Sequence, residues 1–490
     1  LVKIASEYYQ VFSNLQVVTA TNKDDIIEIT RKPDGITNIK VFRNIKGNKE
    51  NLLSDKDFNK KQTKEIWVYG LNDTDTFIVK GKADNPILIR LIGGHGEDIF
   101  NIIEGKKIRV YDWKTLPNTI EQKGGAKFRF ANDYDNNNYD IDKKISSSNT
   151  LMPSIGSNPD DGFLIGISNT FTLNGFQRNP FSQKHTIKGG YYFATDGFDI
   201  NYSGEFAKVF SSLNLLVGAQ YTSPTFARNF FGFGNETKNE DDALGLDFNR
   251  VRWRILAAEI GLKKNGDFGS SFQIKAKAET IDIENTPDRF LSQNPILGIE
   301  DRKYFATLEA AYVYKSFDNA LNPTRGMLFD FITGGTTNLE ESKTFGYIKP
   351  RLGFYNALSS NRKLVLKTDV SAQFLLGDDF EFYQAATLGG NTGLRAFRNE
   401  RFTGKTSFLS SADVRYSFNT FKTGLLPLQM GIFAGYDVGR VWNKGENSEL
   451  WHNSYGGGFW VVGADNISAT FNAFNGADGV RLSFGFGVGF

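Results

Sequence analysis

The sequence predicts an all-β chain, a 16-stranded transmembrane antiparallel β-barrel behind an N-terminal β-rich domain. Three observations carry that expectation. From Gly162 onward, apolar and polar residues alternate with period two, in roughly sixteen segments of about 9–17 residues, the mark of a barrel closed in lipid. The composition, with 44 Phe, 19 Tyr and 50 Gly against 3 Met, favours strands joined by turns over helical bundles. No stretch of about 18 consecutive apolar residues occurs, so a transmembrane helix is excluded.

Charge and rare residues exclude several functions. The 490 residues hold 57 Lys+Arg against 55 Asp+Glu, a net +2, which provides no basic stripe for nucleic acid. With no cysteine, disulfides, thiolate zinc sites and cysteine nucleophiles are all ruled out. The three histidines, His95, His185 and His452, are too scattered for a metal centre. No nucleophile–His–Asp set and no cluster of metal ligands stands out, so the chain is read as not an enzyme. Without a charged leader before an apolar run, any signal peptide is expected to have been removed.

The N-terminal domain is expected over residues 1–115. Leu1, Ile4, Ala5, Tyr8, Val11, Phe12 and Leu15 fall at helical spacing and predict one short amphipathic helix. Strands follow: Ile26–Arg31 and Thr37–Ile45 flank the turn Pro33-Asp34-Gly35, and others are expected near 65–70, 77–80, 87–92 and 108–113. Tyr69-Gly70-Leu71-Asn72-Asp73-Thr74-Asp75-Thr76-Phe77 repeats as Ile92-Gly93-Gly94-His95-Gly96-Glu97-Asp98-Ile99-Phe100, offset by 23 residues, as in stacked rungs. The second copy resembles a Gly-Gly-x-Gly-x-Asp calcium turn, which makes Asp75 and Asp98 candidate calcium ligands; the competing reading is plain structural turns. Residues 116–160 are polar and repetitive and read as a linker, leaving 161–490 for the barrel.

Within the barrel, strands are expected near 162–173, 184–196, 197–210, 211–223, 248–265, 270–284, 302–317 and 326–338. The series continues near 344–358, 363–376, 381–388, 402–418, 427–442, 454–464, 467–476 and 480–490. Lipid offers backbone groups no partners, so the sheet must close, bringing Gly162–Leu173 against Val480–Phe490. Gly485, Gly487 and Gly489, with the terminal Phe490, give that seam few side chains to pack; the glycines equally suit a crowded lumen.

One constellation carries chemistry. Between the eleventh and twelfth expected strands lies Leu388-Gly389-Gly390-Asn391-Thr392-Gly393-Leu394-Arg395-Ala396-Phe397, followed by Phe402-Thr403-Gly404. Downstream come Ser411-Ala412-Asp413-Val414-Arg415 and Gly435-Tyr436-Asp437-Val438-Gly439. With Ala412, Val414, Tyr416 and Phe418 toward lipid, Asp413 faces the lumen, and strand parity sets Asp437 there as well. Two lumenal carboxylates and a loop arginine form a charge-paired lock, because one guanidinium can donate to both.

These motifs, in this order, resemble the BamA/TamA superfamily of outer-membrane barrels, also called the bacterial surface antigen family, over about residues 160–490. The loop is similar to that family's inward-folded sixth loop, with Leu394-Arg395-Ala396-Phe397 where its Val-Arg-Gly-Phe/Tyr tip stands and with Gly389 and Gly390 before it. Ala396 replaces a glycine, so a backbone needing positive φ there would be strained. Asn229-Phe230-Phe231-Gly232-Phe233-Gly234-Asn235-Glu236-Thr237 resembles a segment of the Bacteroidetes type of surface antigen. The resemblance implies a barrel in the bacterial outer membrane with its N-terminal domain in the periplasm. The implied partners are outer-membrane lipids and client polypeptides or other envelope proteins, and the implied function is insertion, assembly or translocation of proteins at that membrane. Two alternatives stand beside it: an anchor or exporter of a fused N-terminal phosphoesterase domain, and a passive pore. The Asp-x-His and Gly-Asn-His motifs of such a phosphoesterase are absent here. Nor does the N-terminal region resemble a polypeptide-transport-associated repeat, which packs two helices on three strands.

Overall fold

The structure, a computed structural model, describes residues 2–143, 146–178, 180–296, 299, 301–424, 426–463 and 467–487. The chain forms two compact units, one of Leu1–Ile145 with Asn174–Phe181, the other of Ser146–Leu173 with Ser182–Phe490.

The first unit opens with a helix, Val2–Ser13, on which Ile4, Tyr8, Val11 and Phe12 are exposed. Two sheets follow. Leu15–Thr19, Glu65–Asn72, Leu88–His95, Ile108–Tyr111 and Lys127–Phe128 form a parallel sheet. Asp25–Arg31, Thr76–Lys80, Ile99–Ile102 and Thr119–Gln122 form the second, extended by the strands Ile36–Ile45 and Asn48–Asn59. The chain thus winds as a short parallel solenoid, crossing from one sheet to the other in each rung. In the central pair of rungs, partners differ by 23 in number, as in Tyr69↔Ile92 and Phe77↔Phe100, while the rung before is offset by 50 and those after by 18 to 21. Alternate residues fill the space between the sheets; Phe77 and Phe100, both fully buried, stack with ring centroids 5.2 Å apart.

The corner between the sheets explains the repeated Gly and Asp. The Asp25 N–H donates to Asp75 Oδ1 at 2.9 Å, the Asp75 N–H to Asp98 Oδ1 at 2.9 Å, and the Asp98 N–H to Asn118 Oδ1 at 2.8 Å. Each rung is therefore pinned to the next by a side chain standing in for a backbone acceptor. A Cβ on Gly70 would collide with the Asp75 carboxylate, and one on Gly93 with those of Asp98 and Asp112, so glycine is required at both places. The calcium expectation for Asp75 and Asp98 meets a different geometry: each commits one oxygen to its neighbour, and among the described residues no group of three or more Asp, Glu or His is placed to hold a metal ion.

Burial raises the carboxyls of Asp75, Asp98 and Asp112, Asp75 to about 9, where the neighbouring Asp98 charge adds to burial. A raised pKa means that the folded chain keeps a proton the unfolded chain has released. Stability is then full below the ordinary carboxylate pKa and is lost as pH rises toward 9, by about 1.4 kcal/mol per pH unit for each such proton. Amide protection of residues 65–112, corrected for intrinsic exchange, should fall steadily from about pH 4 to about pH 9 in the intact protein. Protection that rises over that window would contradict protonated aspartates at the corner.

The second unit is a closed antiparallel barrel of sixteen strands among the described residues. In chain order these are β1 (Ser148–Asn158), β2 (Gly162–Leu173), β3 (Gln183–Tyr192), β4 (Gly197–Phe210), β5 (Leu213–Thr222, continued by Ala227–Asn229), β6 (Arg250–Asn265), β7 (Ser270–Glu284) and β8 (Lys303–Phe317). They continue as β9 (Gly326–Asn338), β10 (Thr344–Ala357), β11 (Leu364–Leu376), β12 (Thr406–Ser417, continued by Phe421–Lys422), β13 (Pro427–Trp442), β14 (His452–Gly463), β15 (Ile467–Gly476) and β16 (Gly479–Gly487). β1 meets β16 at Ile155↔Phe486, Gly156↔Gly485 and Ser157↔Phe484, which closes the wall. Apolar side chains such as Ile167, Leu256, Ile260, Leu308 and Ile432 stand exposed on the outer face, as lipid contact requires.

The count of sixteen stands, with different members. The stretch expected as a linker contributes two short strands to the solenoid and, at Ser148–Asn158, the first barrel strand. Pro153 and the polar flanks hide that strand from a period-two reading. Gly162–Leu173 is consequently β2, and the seam lies between β1 and β16. Conversely, 381–388 is no wall strand: Phe382–Gln384 is a 3₁₀ turn, and Ala386–Leu388 pairs with Phe402–Gly404 as a hairpin inside a loop. Of the expected seam residues, Gly485 and Gly487 are buried in β16, while Gly489 and Phe490 lie outside the described residues.

Candidate functional site

The loop over residues 377–405, between β11 and β12, folds into the lumen. Its tip is built by a compact turn: the Gly393 and Leu394 N–H groups both donate to the Gly389 carbonyl, at 3.1 and 2.9 Å, and the Gly389 N–H donates to Thr392 Oγ1 at 2.8 Å. Gly393 takes a φ of 112°, the left-handed region open to glycine. Leu394, Ala396 and Phe397 are buried in one cluster with Leu388, Phe402, Leu409 of β12, Val441 of β13 and Phe474 of β15. Apolar contact on the inner wall therefore seats the tip before any charge is considered.

Arg395 then reaches the wall between two carboxylates. Its backbone N–H donates to Asp437 Oδ2 at 3.1 Å, and Nε donates to the same oxygen at 3.0 Å. Nη2 donates to Asp437 Oδ1 at 2.6 Å and to Asp413 Oδ1 at 2.7 Å. Lys367 Nζ lies 3.6 Å from the other Asp413 oxygen, and the guanidinium carbon sits 4.0 Å above the Phe474 ring. Asp437 is fully buried and Asp413 nearly so, while their neighbours Val414 and Tyr436 are exposed on the outer face, in keeping with the strand parity.

Glycines make the room. Asp413 pairs across the sheet with Gly435, two residues before Asp437, so the empty place at 435 is where the guanidinium lies. A Cβ there would meet Arg395 Nη2 at 2.5 Å and collide with Asp413. The strain considered for Ala396 does not arise, since its φ is not positive. Its methyl faces Gly476, where an added Cβ would come within 2.8 Å. Gly435→Ala should therefore displace the arginine at a cost of about 1–3 kcal/mol. Limited proteolysis should cut 389–404 faster in this variant; an unchanged cleavage rate would contradict the packing.

A second set of contacts, invisible to motif reading, surrounds the stem. Asp160, in the turn between β1 and β2, accepts from Arg398 Nε, from Arg481 Nη2 at 3.0 Å, from Asn229 Nδ2 at 2.7 Å and from the Asn399 N–H at 3.0 Å. Arg401 donates through Nε to Asp478 at 2.6 Å and through Nη1 and Nη2 to Thr237 at 2.8 Å each. The segment Asn229–Thr237 lies over the loop: Phe233 and Gly234 bridge to Thr403, and Asn235 accepts from the Val441 N–H at 3.0 Å. The charged run Arg398-Asn399-Glu400-Arg401 beside an apolar tip was the available signal; nothing in sequence marks Asp160.

A closed sixteen-stranded barrel with an apolar outer face, a charged inner wall and a loop pinned inside it belongs to the class of β-barrels that span an outer membrane. The family model for the Omp85 superfamily domain matches residues 200–490, and the chain belongs to the Omp85 superfamily. Among solved structures it is similar in fold to BamA from Haemophilus ducreyi lacking POTRA domains 1–3, with TM-score 0.50 and 15% identity over 70% of each chain. CdiB from Escherichia coli gives TM-score 0.49 and 11% identity over 69% of this chain and 62% of that one. No curated protein matches the sequence.

Proposed function

We propose that this barrel assists the insertion, assembly or translocation of other polypeptides at the outer membrane, with its solenoid in the periplasm. The observation that carries the reading is Arg395 held between Asp413 and Asp437 at the tip of a loop seated in the lumen. A buried ion pair costs desolvation, and leaving one partner unmatched costs several kcal/mol, so a loop held this way has a defined seated state and a substantial cost of release. A passive pore needs no such anchor. Work of this kind is physical: a loop and wall that change register, with client segments and lipids as partners and no bond chemistry. The resemblance of Asn229–Thr237 in sequence to a segment of the Bacteroidetes type of surface antigen supports placing the chain with that type.

The test is depletion of the protein in its own cell. The outer membrane should lose specific β-barrel or surface proteins while total lipid remains. Loss of small-solute uptake with an unchanged protein profile would instead favour the pore.

A further inference from the structure

We propose that Asp160 is a positioning residue that couples the seated loop to the closing junction of the barrel. Its side chain is 5% exposed and gathers four donors from three separate places: Arg398 and Asn399 on the loop, Arg481 on β16, and Asn229 on the continuation of β5. Asp160 itself sits in the hairpin turn that ends β1, so the Asp160–Arg481 pair spans the junction at which β1 meets β16.

Both arginine side chains are buried as well, Arg398 as deeply as the carboxylate and Arg481 slightly less. Arg398 carries a second partner, Asp241, at 2.7 Å, so the four charged groups balance to zero. The loop also lies directly against Arg481, because a Cβ added at Gly390 would run into that guanidinium. Withdrawal of the loop removes Arg398 and Asn399 together and leaves Asp160 and Arg481 in a wetter, weaker pair. Coupling of this kind is reciprocal: loosening the junction must equally loosen the loop. The coupling is a property of the barrel's own states, whatever the protein moves.

The absence of cysteine makes the test clean. Ser157→Cys with Phe484→Cys, a register pair across the junction, forms a disulfide whose yield reports closure in native membranes. Protease cleavage within 389–404 reports the loop, and heat-dependent gel mobility confirms a folded barrel. Asp160→Asn should lose most of the cross-link and expose the loop, and Asp160→Glu should restore part of both. Arg398→Met touches neither strand of the junction, yet it should also lower the cross-link. If Arg398→Met frees the loop while the cross-link stays at the wild-type yield, the coupling is absent. A wild-type cross-link and a protected loop in folded Asp160→Asn would overturn it equally. Should Asp160→Asn fail to fold, Arg398→Met alone decides.

Discussion

Arg395→Ala should free the tip of the lumenal loop, leave the sixteen-stranded wall intact, and abolish the protein's function. The substitution removes four hydrogen bonds from the Arg395 side chain to Asp413 and Asp437, and leaves the fully buried Asp437 without its cation. Breaking one side of a buried pair costs about 3–5 kcal/mol. The loop's ends are held by the β11–β12 pairing in either state, so what the anchor must offset is the ordering of the tip, about 1–2 kcal/mol for each residue fixed. The stem stays tethered by Arg398 and Arg401, so the released part is the tip near 393–397. Protease access to 389–404 and complementation of a deletion strain should change together, with heat-dependent gel mobility unchanged. A protected loop with full complementation would remove the lock and favour the passive pore.

Asp437 should rank next, and its two substitutions should differ. Asp437→Ala deletes both acceptor oxygens that hold Arg395, and the arginine keeps only Asp413. The effect should approach that of Arg395→Ala. Asp437→Asn keeps one carbonyl acceptor while losing the charge, and charge-assisted bonds are worth about 1.5–3 kcal/mol against about 1 for neutral ones. An intermediate cleavage rate and partial complementation are expected. Equal phenotypes for the two variants would mean that the charge alone matters at this position and that the remaining acceptor and the volume do not.

Much of this was legible in the residues, for physical reasons that also mark where legibility ends. Period-two alternation shows wherever one face meets lipid and the other water, so Ile432, Tyr436 and Val414 declared the outer face and, by parity, set Asp413 and Asp437 inward. The same rule failed at Ser148–Asn158, where Pro153 and small polar residues blur the alternation, and over-read 381–388, whose apolar residues are buried because the loop carries them against the inner wall and not because they form part of it. In the solenoid the 23-residue offset was visible because adjacent rungs repeat one backbone path, whereas the use of Asp75 and Asp98 as acceptors for neighbouring rungs depends on stacking that spacing alone does not reveal. Asp160 was hidden for a different reason. Its side-chain partners lie 69, 238 and 321 residues away, and no local pattern records a contact of that kind. Gly435 and Gly476 were hidden likewise, since their role is to be empty beside a loop that arrives from elsewhere.

Whether this barrel handles other polypeptides is read out by photo-cross-linking in living cells. A photoreactive residue at Gln373, on the inner wall beside the loop, and another at Phe484, on the closing strand, sample the two surfaces a client would touch. Discrete adducts with envelope polypeptides are expected at both positions, with a changed adduct pattern at Gln373 in the Arg395→Ala variant. Adduct-free protein at both positions, in cells where wild-type activity is intact, would contradict such handling.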